Sequence, residues 1–222
     1  GAVVSHVLCL VAHPDDETLG CGGTLAKHAA AGDAVMVLYL SDGVGSRGDG
    51  GAHERREQFI AAGKILCLEQ YEYRNFPDNQ FDTVPILDLA REIETVIESF
   101  KPNIVYTHHG GDLNVDHQRV AEAVLIACRP KPGCTVKQIL QFEVLSSTEW
   151  GPHWRRWFEP THFVDITATL ETKIKAFSCY LDEVCEFPHP RSVEGIRALA
   201  QVRGMAVGVP AAEAFVCARC IA

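Results

Sequence analysis

The feature that most constrains this chain is an apolar run that ends in a histidine and three acids. The run spans residues 7–11 (VLCLV), and the motif at 12–17 (AHPDDE) follows it directly. A continuous apolar run of this length is typical of a strand buried on both faces, as in a parallel sheet. The small, helix-compatible residues that follow end at Gly32, a favourable helix C-cap. The sequence therefore predicts a strand, a charged turn and a helix.

Strand and helix patterns alternate through the rest of the chain. The predicted strands are 4–12, 34–40, 71–74, 103–107, 138–145 and 163–167. The predicted helices are 17–31, 53–66, 84–100, 116–127, 170–184 and 193–203. This alternation predicts an α/β fold: a Rossmann-like, doubly wound, mostly parallel sheet with helices on both faces. The length of 222 residues fits one large domain.

A second polar cluster, residues 108–117 (HHGGDLNVDH), lies between a predicted strand and a predicted helix. The carboxyl ends of parallel strands share one edge, and strands distant in sequence can be neighbours there. Two imidazoles and a carboxylate suit Zn²⁺ or another divalent metal, with a fourth position left for water. His13, Asp16 and His117 would supply that set. The plainer alternatives are a helix N-cap for the aspartates and a solvated loop position for His108 or His109.

Composition excludes several classes of partner. The formal charge of −9 argues against a nucleic-acid partner, and no apolar run is long enough for a transmembrane segment. Nine scattered cysteines, several within apolar runs, are typical of reduced thiols in a cytoplasmic protein. Cys217 and Cys220 have C-x-x-C spacing without a second pair, which favours packing over metal binding.

The two clusters resemble the LmbE/PIG-L family of zinc-dependent N-deacetylases. The resemblance is close over about residues 3–130 and continues more weakly through Lys173 and Tyr180. It implies a metal-dependent hydrolase that removes acetyl from a small-molecule N-acetylated amino sugar or sugar conjugate of the GlcNAc type. It also implies one deacetylase domain over 1–222, in which 1–130 carries the motifs and 131–222 shapes the substrate site.

The resemblance assigns a role to each motif residue. His13, Asp16 and His117 match the metal ligands, and Asp15 matches the general base. Arg55 matches an arginine that binds substrate or steadies the oxyanion, although Arg56 is an alternative equivalent. Asp116 matches the carboxylate beside the second metal histidine, where it would orient a ligand. Zinc lowers the pKa of bound water to about 7 and polarises a carbonyl, so Asp15 would take the proton of the water and pass it to the departing amine.

The chain departs from the family pattern at Asn114. Many members have a histidine there, which is assigned to oxyanion stabilisation, whereas an asparagine can bind substrate but cannot be a cation. The candidates for the missing group are His109, Arg55, His189 and Arg191. We favour His189 as acid or oxyanion donor, because prolines on both sides fix its backbone.

Two further segments are candidates for substrate binding. Residues 41–51 contain five glycines and Arg47, which predicts a lid that could reach a polar substrate group. Trp150 begins an aromatic and basic segment, 150–158, that suits either a sugar face or a subunit contact in a homo-oligomer. Arg191, two residues after His189, is a further candidate for substrate binding.

Two alternatives to an active deacetylase stay open. Gly20, Gly22 and Gly23 in a Rossmann-like fold could indicate a nucleotide-binding module, but their spacing is not G-x-G-x-x-G. Close packing against the sheet is the preferred interpretation of these glycines. The second alternative is a metal-binding family member that has lost activity, because of Asn114.

Overall fold

The computed structural model describes residues 4–43, 51–68, 70–152 and 154–222. The described strands form a sheet in the order β3-β2-β1-β4-β5-β7-β6. They are β1 (His6–Val11), β2 (Ala34–Tyr39), β3 (Gln70–Tyr73), β4 (Ile104–His108), β5 (Gln138–Phe142), β6 (His162–Asp165) and β7 (Ala212–Cys220). The helices are α1 (Asp16–Ala30), α2 (Ala52–Ile65), α3 (Ile86–Phe100), α4 (Val115–Ala127), α5 (Leu170–Phe177) and α6 (Val193–Met205).

The predicted Rossmann-like sheet is confirmed. Strands β1 to β5 pair in parallel, and β7 runs antiparallel between β5 and β6. Strand β7 was not predicted, because its sequence AEAFVCARC contains three alanines and two charged residues. All nine cysteines are free thiols, and Cys217 and Cys220 lie in β7. Among the described helices, none is both long and apolar enough to span a membrane.

The central strand β1 supplies both hydrophobic cores. Val7, Cys9 and Val11 are fully buried on the face that is covered by α1, α2, α5 and α6. Leu8 and Leu10 are fully buried on the opposite face, under α3 and α4. Successive side chains of a strand point to opposite faces, so an uninterrupted apolar run is what a sheet with helices on both faces requires.

One helix is shorter than predicted, and this difference shapes the site. The pattern at 170–184 predicted a continuous helix, but α5 ends at Phe177. The chain then makes turns in which the backbone N–H groups of Tyr180 and Glu183 donate to Phe177 O and Tyr180 O. The turns bury both side chains towards the end of β1. The helical periodicity did not predict these turns, because apolar residues continue beyond Phe177.

The glycines of α1 permit close packing. A Cβ at Gly20 would lie 2.3 Å from the Phe142 ring, and one at Gly23 would lie 2.9 Å from the Ile166 side chain. The helix is kinked at Cys21, and the backbone N–H of Gly23 donates to the buried carboxylate of Glu213. These contacts support the packing interpretation rather than a phosphate cradle.

We expect Gly20→Ala to lower the free energy of unfolding by about 1–3 kcal/mol, because the added methyl overlaps the Phe142 ring. Gly22→Ala is the matched control in the same helix, since its Cβ would meet no atom closer than 3.5 Å. The control should be neutral or slightly stabilising. Urea unfolding of the three proteins measures the difference. Equal stability of the two variants would contradict this packing argument.

Candidate metal centre

The pairing of β1 with β4 brings the two polar clusters together. The strands are parallel neighbours, so the turn after Val11 and the segment after His108 start at the same edge. Asp16 Oδ2 lies 3.4 Å from His13 Nδ1 and 3.3 Å from His117 Nε2. Their ligand atoms all lie within 4.8 Å of one another. The three predicted metal ligands therefore converge.

A carboxylate fixes the orientation of His13. The Nε2 of His13 is hydrogen-bonded to Asp116 Oδ2 at 2.9 Å and lies 3.2 Å from Asp78 Oδ1. Asp116 is itself held by the backbone N–H groups of Asn79 and Phe81, at 2.7 and 2.9 Å. The Nδ1 of His13 is consequently left facing Asp16. Asp116 thus contacts the first histidine, whereas the resemblance had pointed only to a carboxylate adjacent to the second.

A second carboxylate stands behind His117. Asp112 Oδ2 lies 3.2 Å from His117 Nδ1, and the hydroxyls of Ser147 and Thr148 donate to Asp112. The ring of His108 stacks on His117 with centroids 3.9 Å apart. Sequence reasoning missed Asp112, although it lies in the same cluster as His117. Carboxylates that hydrogen-bond the outer nitrogen of a ligand histidine orient the ring and raise its basicity.

The charges of the cluster suit a cation. Burial would raise the pKa of Asp16, but His117 and His108 hold it well below its usual range. Burial would lower the pKa of His117, but Asp16 and Asp112 raise it to about 9. In the described structure Asp16 Oδ1 is buried without a hydrogen-bond partner. The donor set thus consists of two imidazole nitrogens and one ionised carboxylate that has an unsatisfied oxygen. Such a set fits Zn²⁺ or a similar divalent ion.

Asp15 adopts a strained backbone conformation beside the ligands. Its φ angle of 113° is rare for a residue with a Cβ. The backbone N–H of Asp15 donates to Glu17 Oε2 at 3.0 Å, and its carbonyl accepts from the N–H groups of Thr18 and Leu19, both at 3.0 Å. Its Oδ2 accepts from Arg191 Nη1 at 3.0 Å. Strain of this kind is maintained where a side chain must point in one direction.

The environment of Asp15 also shifts its protonation. Burial raises the pKa of Asp15 to about 8, with Arg191 opposing the shift and Asp16 reinforcing it. A carboxyl group whose pKa lies close to neutral can both accept a proton and give it back.

A layer of arginines covers Asp15. Glu183 accepts from Arg55 Nη2 at 2.8 Å and from Arg191 Nη1 at 2.9 Å, so one carboxylate joins both guanidinium groups. The Arg55 side chain is buried against Glu183. Arg56, the alternative equivalent, instead lies 5.2 Å above the ring of Tyr73. The contacts favour Arg55 as the arginine of the site, and Glu183 is a member that the sequence did not reveal.

The ligands open into a polar cavity of about 130 Å³. Its lining residues come from both halves of the chain: His13, Pro14, Asp15, Gly43, Arg55, Asp78, Asn79, Asn114, His117, Glu183 and Arg191. Asn114 lines this cavity while its Oδ1 caps α4, accepting from the N–H of Asp116 at 2.8 Å. Its Nδ2 donates to Asn79.

The other predicted site residues differ in their position relative to this cavity. Among the described residues, the cavity lining includes Arg191 but neither His189 nor Trp150. The rings of His189 and Trp150 contact each other edge to face, with centroids 6.2 Å apart. His109 is buried against Phe158, and neither it nor His108 is solvated, which corrects that alternative. Arg47 and most of the predicted lid lie outside the described residues.

The part of the chain that carries both clusters matches a known family. Residues 8–128 match the model of the PIG-L family, described as GlcNAc-PI de-N-acetylase. The chain belongs to the PIG-L family. The resemblance drawn from the two motifs is thereby confirmed, and the protein is an enzyme of a deacetylase family.

Two relatives show how far the PIG-L likeness extends. The chain is 34% identical over 146 residues to the uncharacterized deacetylase YaiS of Escherichia coli (strain K12), which covers 64% of the chain and 75% of the relative. It is 29% identical over 192 residues to the diacetylchitobiose deacetylase of Thermococcus kodakarensis, with 78% and 68% covered.

Solved structures extend the likeness across the whole fold. The conserved protein TT1542 from Thermus thermophilus superposes with a TM-score of 0.80 at 25% identity, covering 99% of this chain and 97% of that one. GalB, the 4-carboxy-2-hydroxymuconate hydratase of Pseudomonas putida KT2440, superposes with a TM-score of 0.74 at 24% identity, covering 97% of each chain. The second likeness concerns the fold alone, so function must be argued from the site.

We expect Asp112→Asn to weaken metal affinity by about 10- to 100-fold, because His117 loses the carboxylate behind it while all three ligands remain. Asp33→Asn is the matched control: Asp33 pairs with His28 at 2.7 Å, away from the cavity. Competition with a chromophoric chelator measures the affinities. The assignment is wrong if both variants bind the metal as tightly as the wild type.

Proposed function

We propose that this enzyme hydrolyses the acetamido group of a small N-acetylated amino sugar or sugar conjugate of the GlcNAc type. The observation that carries the proposal is the separation of roles between adjacent aspartates: Asp16 faces the ligand histidines, while Asp15 faces Arg191. The names of the relatives, which include a diacetylchitobiose deacetylase, support the substrate class.

His13, Asp16 and His117 would hold the metal, for which zinc is our first choice and another divalent ion the alternative. When bound, the ion supplies Lewis acidity towards the amide carbonyl and makes water more acidic. Asp112 and Asp116 keep the ligand rings in place.

In the proposed reaction Asp15 moves the proton. A water oxygen bonds to the carbonyl carbon, and Asp15 accepts the proton that the water loses. The C–N bond then breaks, and Asp15 returns the proton to the amine nitrogen, so the products are acetate and a free amine. The near-neutral pKa of Asp15 suits both transfers.

Arg191 provides the cationic partner in this proposal. It lines the cavity and touches Asp15, whereas His189, two residues earlier, contacts Trp150 instead. A guanidinium can stabilise an oxyanion by hydrogen bonds but does not release its proton at physiological pH. The proton of the leaving group therefore comes from Asp15. Asn114 serves as a helix cap and a polar wall rather than as an acid.

Asp15→Asn tests the function. We expect the variant to keep its metal and to release acetate about 10²–10⁴-fold more slowly from N-acetylated sugars, because an amide cannot accept the proton of the water. Elemental analysis and an acetate assay on a small panel of N-acetylated sugars measure the two quantities. A near-normal rate would remove Asp15 from the mechanism, and loss of the metal would mean that the roles of the two aspartates are exchanged.

The panel also separates the alternatives. A wild-type protein that binds metal but releases no acetate would support a family member that has lost activity. An enzyme that is unaffected by removal of the metal would refute the proposal altogether.

We expect Glu183→Gln to lower kcat on the order of tenfold with unchanged metal content, because the loss of this negative charge would leave Asp15 as the carboxylate that pairs with Arg191 and would restrain its proton transfer. Glu143→Gln is the matched control, since Glu143 pairs with Arg203 through two bonds of 2.7 and 2.8 Å outside the cavity lining. Steady-state kinetics of both variants measure the effect. Equal rates in the two would contradict the role of Glu183.

A further inference from the structure

A second cavity of about 510 Å³ adjoins the metal centre. It lies at the carboxyl ends of β2 and β3, beside the start of α2, and its walls are largely apolar: Pro14, Tyr39, Phe59, Ile60 and Tyr73. Its polar lining residues include His53, Arg56 and Glu57, which are exposed. An apolar interior with an exposed polar edge is typical of a ligand pocket.

The apolar wall is a packed aromatic cluster. The ring of Phe59 lies 4.9 Å from that of Tyr39 and 6.5 Å from that of Tyr73, centroid to centroid. Tyr71 contacts Phe59 on the same side, at 5.2 Å, but it does not line the cavity. The Arg56 guanidinium, which also lines the cavity, lies 5.2 Å from the centroid of the Tyr73 ring. Phe59 and Tyr39 are buried, so the wall exists before any ligand arrives.

The two cavities share a wall. Pro14 lines both, and Asp15 follows it in the chain. Ser41 and Asp42 line the large cavity, whereas Gly43 lines the small one. A Cβ at Gly43, whose φ angle is +71°, would lie 3.0 Å from Pro14 Cδ. The glycine therefore lets this turn pack directly on the proline that separates the two spaces.

The contrast between the cavities defines what each accepts. The metal cavity is small and lined by charged and amide groups, which suits an acetamido group and sugar hydroxyls. The adjoining cavity is about four times larger and mainly apolar. One molecule that fills both must combine an N-acetylated sugar with an apolar substituent.

We propose that the cavity bounded by Phe59 and Tyr73 is a subsite for an apolar aglycone, so that the preferred substrates are alkyl or aryl glycosides of an N-acetylated amino sugar. The inference rests on the proposed function, because it takes the acetamido group to occupy the metal cavity. An apolar aglycone would cover the ring of Tyr73, which is 40% exposed and lines the cavity.

The test is a series of N-acetylglucosaminides with methyl, butyl and octyl aglycones. The wild type should show kcat/KM that rises at least tenfold from methyl to octyl, since each buried methylene contributes up to about fourfold. Tyr73→Ala should lose most of this rise while its kcat/KM for the methyl glycoside stays near that of the wild type. Tyr71→Ala is the matched control, on the same strand and equally exposed, at 39% against 40%, and should keep the rise.

Binding of the deacetylated octyl glucosaminide, measured by calorimetry, gives a readout that needs no turnover. Octyl binding that weakens in Tyr73→Ala but not in Tyr71→Ala supports the subsite even if no acetate is released, and in that case only the proposed function fails. A flat response to chain length, or equal effects of the two tyrosine variants on both readouts, overturns the subsite.

Discussion

The hydrogen bonds between β1 and β4 hold together the two halves of the metal centre. Each strand is followed by polar residues, but neither cluster alone contains all three ligands. The parallel pairing of the strands places the Asp16 carboxylate between the rings of His13 and His117. In a doubly wound sheet this is the point where the strand order reverses, and it is where such folds bind ligands. The buried run of β1 thus fixes both the core and the position of the chemistry.

The charge of the site follows from that placement. Among the described residues, six carboxylates line the cavity or contact its histidines: Asp15, Asp16, Asp78, Asp112, Asp116 and Glu183. Arg55 and Arg191 balance only the outer side, through Glu183. Like charges at this density repel unless cations or protons lie among them. A divalent ion on the inner side and the arginine pair on the outer side would leave Asp15 between them as the group that moves protons.

The three candidate metal ligands were easier to predict from the sequence than the charged residues around Asp15. His13, Asp16 and His117 could be predicted because each lies at a strand end or a helix start, and hydrophobic patterns reveal both. Glu183 and the direction of Arg191 depend on the early end of α5 and on turns that no periodicity encodes. Strand β7 was missed because its alanines and charged residues are atypical of a strand, and the partner that lets Glu213 be buried, Lys173, comes from a distant segment. Local patterns reveal elements, whereas side-chain partners across the fold arise only from tertiary packing.

In the proposed metal centre, two histidines and one aspartate hold a divalent ion at the junction of β1 and β4. X-ray absorption at the metal edge, recorded on the purified protein, tests this ligand set. We expect nitrogen and oxygen neighbours at about 2.0–2.2 Å, with the imidazole signature of two histidines that falls to one in His117→Ala. A sulfur neighbour at about 2.3 Å from one of the cysteines, or an unchanged imidazole signature in that variant, would contradict this set of ligands.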